Sequence, residues 1–174
     1  GSGKAYILQR NEETWSEKKI LSGDTTSKYF GHSVSISGNY ALVGSHGDYH
    51  DSSEHNMSAY GAAYLFKFDG TDWNFYKKLT ATDRNLSDNF GYSVAINGEY
   101  AVVGAYRDDD IAGQSGTAYL FKYDGTDWNF HKKLLASDGS TLNYFGNSVD
   151  ISGNYAIVGA YGNNSYKGAA YIYY

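Results

Sequence analysis

The sequence contains no cysteine and no proline. The first absence excludes disulfides, thiolate chemistry and cysteine-ligated zinc, without assigning a compartment. The second is unusual beside 21 glycines. Positive charge is scarce: 14 basic against 19 acidic residues leave a net charge of -5. That argues against nucleic acid as a partner, because such binders concentrate positive charge. No run of 18 apolar residues is present, so membrane insertion is not expected. No charged-then-apolar leader reads as a signal peptide, and the first residue is not Met, so the chain is expected to be cut from a longer one or processed. What the sequence does have is aromatic residues, 17% of 174 positions. That content excludes disorder and, with few long runs of helix formers, leans towards an all-β domain rich in turns.

The chain repeats itself. Phe-Gly occurs at Phe30-Gly31, Phe90-Gly91 and Phe145-Gly146, each followed one residue on by Ser-Val. Then come NYALVGS from Asn39, EYAVVGA from Glu99 and NYAIVGA from Asn154. Ala-Tyr followed by apolar residues starts at Ala5, Ala63, Ala118 and Ala170, and a Trp stands nine residues after the first three of these tyrosines. Each period reads as four strands. Ser-Val-x-Ile alternates as a strand does, and Gly at the first central position of Ser37-Gly38-Asn39-Tyr40 suits a type II′ hairpin. The second strand is a continuous small-apolar run such as Tyr100 to Ala105, the pattern of burial on both faces. The third is Ala63-Tyr64-Leu65-Phe66. The fourth, from Trp73, alternates and carries Lys77-Lys78, as a protected outer edge does. Four strands in about 55 residues describe a propeller blade. A β-solenoid or a run of sandwich hairpins is the rival, and its coils are usually shorter and lack an edge-type fourth strand.

The combination F-G-x-S-V-x-I, Y-A-V-V-G-A and G-A-A-Y-L-F resembles the FG-GAP repeat, the blade unit of integrin α-subunit head propellers and many bacterial surface proteins. The resemblance implies a propeller used outside the cell for adhesion or protein binding. Blades of the integrin type often carry a calcium loop between the first and second strands. Here that link is only Ser-Gly-Asn or Asn-Gly-Glu, too few oxygens for calcium, so that site is not carried over. The fold class expected is an all-β propeller of four-stranded antiparallel blades, about three in this chain. Residues 1–22 form a partial blade (third and fourth strands), 30–80 and 90–135 two blades, and 145–174 a blade lacking its fourth strand. Propellers close with four to eight blades. The chain is therefore expected to be an arc of a longer propeller or to form a homo-oligomer, an N-terminal strand of one copy completing the last blade of another.

Several loops carry candidate chemistry. The loop 45–60 holds His46, Asp48, His50, Asp51, Glu54 and His55, with His32 arriving from the loop before. Their spacing matches no transition-metal pattern, and a solvated loop is the plainer reading. Asp108, Asp109 and Asp110 occupy the corresponding loop of the next blade, a candidate calcium site set against an ordinary polar loop. Asp24, Asp83 and Asp138 recur six or seven residues before each Phe-Gly, as side chains accepting backbone N–H bonds in a turn would. Tyr29 and Tyr144 directly precede their Phe-Gly; Tyr106 and Tyr161 follow the Gly-Ala of theirs, with His46 at the equivalent place. In a propeller these two loop types emerge on one face, so the five side chains are expected to ring a binding surface, for which tyrosine is well suited. The alternative is packing between blades. Three Asn-x-Ser/Thr sequons, at Asn56, Asn85 and Asn163, are no more than chance supplies.

No serine–histidine–aspartate set or phosphate-cradling glycine loop appears, so no enzyme activity is expected. The expectation is an extracellular or cell-surface binding module with a protein or glycan ligand and no resident cofactor. A structural unit joining chains through incomplete terminal blades is the first alternative, and a propeller-fold hydrolase the second.

Overall fold

The computed structural model describes residues 3–49 and 59–174. Among these, thirteen strands build four antiparallel sheets. A two-stranded sheet pairs β1 (Lys4–Asn11) with β2 (Thr14–Ser22). A four-stranded sheet runs in chain order through β3 (Val34–Ser37), β4 (Tyr40–Ser45), β5 (Ala62–Phe68) and β6 (Trp73–Leu79). A second repeats that order with β7 (Ser93–Asn97), β8 (Tyr100–Ala105), β9 (Thr117–Tyr123) and β10 (Trp128–Leu134). The remaining sheet is three-stranded, β11 (Phe145–Ser152), β12 (Tyr155–Ala160) and β13 (Ala169–Tyr173), with a short turn of largely left-handed backbone, α1 (Asn163–Tyr166), between its last two strands. The protein is thus an all-β, propeller-type array of four-stranded antiparallel blades.

The core lies between sheets. β1–β2 pack Ala5 and Leu21 on Phe30, Tyr64, Phe66 and Trp73 of the first complete blade. Leu42, Ala63 and Leu65 on that blade's other face meet Phe90, Val94, Tyr119 and Trp128 of the second. The second blade in turn meets Phe145, Ile151 and Val158. The central strands β4 and β8 are therefore buried on both faces, which is why their sequences run without alternation.

Two glycine positions set the spacing of this array. Gly91 of the Phe-Gly pair has φ +86°, and a Cβ there would lie 2.1 Å from the carbonyl oxygen of Ala62. Gly104 in β8 has ordinary strand geometry, but its Cβ would stand 2.0 Å from the oxygen of Gly146 in the next sheet. Backbone meets backbone across the seam, and only glycine fits. At the inner strands the seam is laced by hydroxyls. Ser33, Ser35 and Ser37 accept the backbone N–H groups of Val94, Ile96 and Gly98 at 3.0, 3.1 and 3.1 Å.

Candidate functional site

The loops that join second to third strands, and those that precede each Phe-Gly, come together at one end of the array. Tyr29 and Tyr144 take left-handed backbone at φ 57° and 55°, as does Asn89 at the equivalent place. The following Phe plugs into the seam while the residue before it turns outward, so Phe30 is 3% exposed and Tyr29 64%.

All five residues singled out for a binding face fall in one unbroken row of rings. Tyr29 stacks on His46, centroids 4.7 Å apart and planes within 5°. His46 meets His32 at 4.6 Å, His32 meets Tyr92 at 4.5 Å, and Tyr92 meets Tyr106 at 4.4 Å. Tyr106 continues to Tyr144 at 5.9 Å, which stacks on Tyr161 at 4.9 Å and 7°. Tyr166 of α1 closes the row, 6.1 Å beyond. Three sheets contribute, and the distances are those of direct ring contact. His32, Tyr92 and Tyr166 join the row beyond those five. Tyr92 and His32 fill the x of F-G-x-S-V, a signal present in the sequence. Tyr166 sits in a segment unlike the other blades, with φ 67° and two left-handed residues before it, and no repeat marks it.

Charge in the row is confined. Burial, the neighbouring His32 and the Arg107 guanidinium together push the His46 imidazole down from 6.5 to about 4, so it is neutral at physiological pH. Arg107 lies over the Tyr106 ring at 5.4 Å. The Arg107 guanidinium thus sets a cation at the middle of a row made chiefly of tyrosine rings.

The same loops hold a second, recurring arrangement. The Tyr64 hydroxyl of β5 donates to Asp48 and sits 2.9 Å from Asp24; Lys78 of β6 pairs with both carboxylates. In the next blade Tyr119 binds Asp83 at 3.0 Å and Asp108 at 2.7 Å, and Lys133 pairs with Asp83 and Asp110. In the three-stranded sheet Tyr171 donates to Asp138 and lies 3.0 Å from the Asn163 amide. The recurring aspartate is thus chiefly a tyrosine partner. Only Asp24 also caps its turn from the side chain, accepting the Thr26 N–H at 2.9 Å. Burial raises Asp48; burial also opposes ionisation of Asp24, but Thr26, Tyr64 and Lys78 outweigh it and hold that carboxyl at about 2. The two tyrosines facing paired carboxylates are pushed up, by burial first and then by those carboxylates.

The calcium candidates Asp108, Asp109 and Asp110 go to separate surroundings. Asp108 is 2% exposed under Tyr119, Asp110 pairs with Lys133, and Asp109 is exposed. No group of three or more metal-ligating side chains occurs among the described residues. His50, Asp51, Glu54, His55 and Asn56 lie outside them. Asp88, 4% exposed, is raised to about 7 by burial and then by Asp108, Asp109 and Asp110.

Comparison with known families matches the FG-GAP repeat three times, at residues 15–66, 73–121 and 128–173. Each match opens on a fourth-strand Trp or its surroundings and closes on the third strand of the following sheet. A search among curated proteins finds no match.

Proposed function

The chain belongs to the FG-GAP repeat family, and from that premise we propose that it is an extracellular or cell-surface binding module whose ligand, a protein or a glycan, lies along the aromatic row. FG-GAP repeats occur in adhesion- and binding-type propeller proteins and are typical of extracellular ones. No helix among the described residues is long and apolar enough to cross a membrane. The observation that carries the reading is the continuity of the row from Tyr29 to Tyr166 across three sheets. Rings in contact hold one another in place, so a ligand meets a preformed surface and little side-chain entropy is lost on binding. Catalysis has less support. Among the described residues the carboxylates of Asp24, Asp48, Asp83, Asp108 and Asp110 are taken up by tyrosine hydroxyls and lysines, and the row itself is built of rings rather than of paired carboxylates.

The test is binding to arrayed glycans and to immobilised extracellular-matrix proteins. Tyr161 and Tyr29 are 46% and 64% exposed, so Tyr161→Ala and Tyr29→Ala leave the fold intact. Each is expected to weaken binding about tenfold, as loss of an aromatic anchor does. Phe75→Ala, on the outer strand β6 and 59% exposed, is the control. No loss from Tyr161→Ala, or an equal loss from Phe75→Ala, sinks the reading.

A further inference from the structure

We infer that β1–β2 and β11–β12 are the two halves of one blade, and that a second copy of this chain brings them together in a two-chain, six-bladed ring. Three observations carry this.

The first is a matched loss of charge. In both complete blades a third-strand tyrosine pairs in the ladder with a fourth-strand lysine, Tyr64 with Lys78 and Tyr119 with Lys133; Lys78 pairs with the buried Asp48, and Lys133 with Asp83 and with Asp110, whose backbone N–H binds the buried Asp108. In β1–β2 the partner of Tyr6 is Ile20. In the three-stranded sheet the position of Asp48 and Asp108 is Asn163. One half lacks the lysine and the other lacks the aspartate that would need it. Joined, they keep a buried cluster balanced, whereas a lone buried charge is strongly unfavourable.

The second is the pair of uncovered surfaces. Tyr6, Leu8 and Trp15 are 55%, 54% and 66% exposed, while Tyr64, Phe66 and Trp73 at the same positions are 1%, 4% and 8%. Between the second blade and the three-stranded sheet lies a groove of about 530 Å³ lined by Tyr100, Leu120, His131 and Leu134. At the equivalent interior seam Tyr40 packs edge-on to Trp128, centroids 5.4 Å apart. Tyr100 holds the place of Tyr40 and Trp15 that of Trp128, so the exposed Trp15 of one copy fits the groove of the other.

The third is the inner seam. Val34 and Ile36 are 60% and 57% exposed, against 5% and 4% for Val94 and Ile96. Ser148, Asp150 and Ser152 on β11 hold the places of Ser33, Ser35 and Ser37, whose hydroxyls bind the next inner strand. The contact is heterologous, and it closes: two complete blades and one shared blade per copy make six, inside the range of known propellers.

Both β1 and β13 have third-strand sequences, and one place is available. β1 keeps it, because Ala5 is buried against the first blade while β13 has no buried residue. β1 then pairs with β12 of the other copy in the register of β13, with Ile7 opposite Ile157, and β13 is released.

Light scattering of the full chain across a concentration series is expected to give twice 19.2 kDa. Trp15→Ala should weaken association at least about tenfold, as loss of a buried aromatic anchor does. Asn163→Asp should weaken it as well, and Asn163→Asp with Ile20→Lys should restore it. Each variant's far-ultraviolet circular dichroism checks that the monomer stays folded. Since the chain has no cysteine, Ile7→Cys with Ile157→Cys should give a disulfide-linked dimer under oxidation. A monomer at every concentration, failure of the double charge variant to recover, or a dimer without the cross-link overturns the inference. None of these outcomes depends on ligand binding at the aromatic row, so the two readings fail separately.

Discussion

At the scale of single residues, one buried and one half-buried titratable group act on stability in opposite directions. Asp88 has its folded value raised from 3.8 to about 7 by burial and the acidic loop beside it. Between those values the folded chain holds a proton that the unfolded chain has lost, so stability falls as pH rises through that window. His46 is the reverse. Its folded value of about 4 lies below the ordinary 6.5, so its contribution is present above 6.5 and is lost as pH falls towards 4. The opposed slopes flatten the wild-type profile. Asp88→Asn, which installs the residue found at the equivalent Asn143, is expected to gain about 2 kcal/mol at pH 7.5. That gain should vanish near pH 4, and the variant should lose stability more steeply on acidification than the wild type. Thermal denaturation across pH checks this; a gain that is constant with pH would mean that Asp88 is ionised in the fold. His46→Tyr, copying Tyr106 and Tyr161, should leave the Asp88 slope alone and give a chain more stable at pH 5 than at pH 7.

At the scale of elements, the strands and their order were legible because each blade repeats the same signals in register. Period-two alternation marked β3 and β7, and the unbroken apolar run marked β4 and β8, buried on both faces. The hairpin glycines were legible too: Gly38, Gly98 and Gly153 have φ 54°, 57° and 54° while the residues after them do not turn positive, as a type II′ turn requires. Most of the aromatic row could be read from tyrosines at matching loop offsets. The tyrosine–aspartate clusters could not, because Tyr64 and Asp24 are 40 positions apart and each has a local role that explains its recurrence. Glycines in two elements look alike in sequence and differ in physical cause, which gives a test. Nothing lies within 4 Å of a Cβ at Gly98, so Gly98→Ala should cost about 1 kcal/mol, from backbone strain alone. Gly104→Ala drives a methyl group to 2.0 Å from the Gly146 oxygen and should cost about 3 kcal/mol or more as the seam opens. Urea titration of both variants checks the difference; equal costs would mean that the seam yields freely.

At the scale of the whole molecule, the question is what holds one blade to the next. Ion pairs recur at the outer seam: Lys19 reaches Asp72 and Lys77 reaches Asp127, each at 2.5 Å. Their side chains are 32% to 46% exposed, where solvent and salt screen the attraction, so each contributes no more than about 1 kcal/mol. The aromatic plug is different. Phe90 is fully buried in the seam, edge-on to Tyr119 at 5.2 Å and within the cluster that joins Leu42 and Leu65 to Val103. Phe90→Ala should therefore cost about 3 to 5 kcal/mol, by lost burial and the cavity left behind, and Lys77→Ala under about 1. High salt should barely move the wild-type midpoint. The shape of the transition carries more information than the midpoint. Each sheet in a repeat array depends on its neighbours' faces for its own core, so cooperativity is set by the seams. If the seams dominate, Phe90→Ala shifts a single urea transition with its slope unchanged. If the sheets were stable alone, the same substitution would split the transition in two, one side keeping the wild-type midpoint. The placement of every large apolar cluster between sheets favours the single transition.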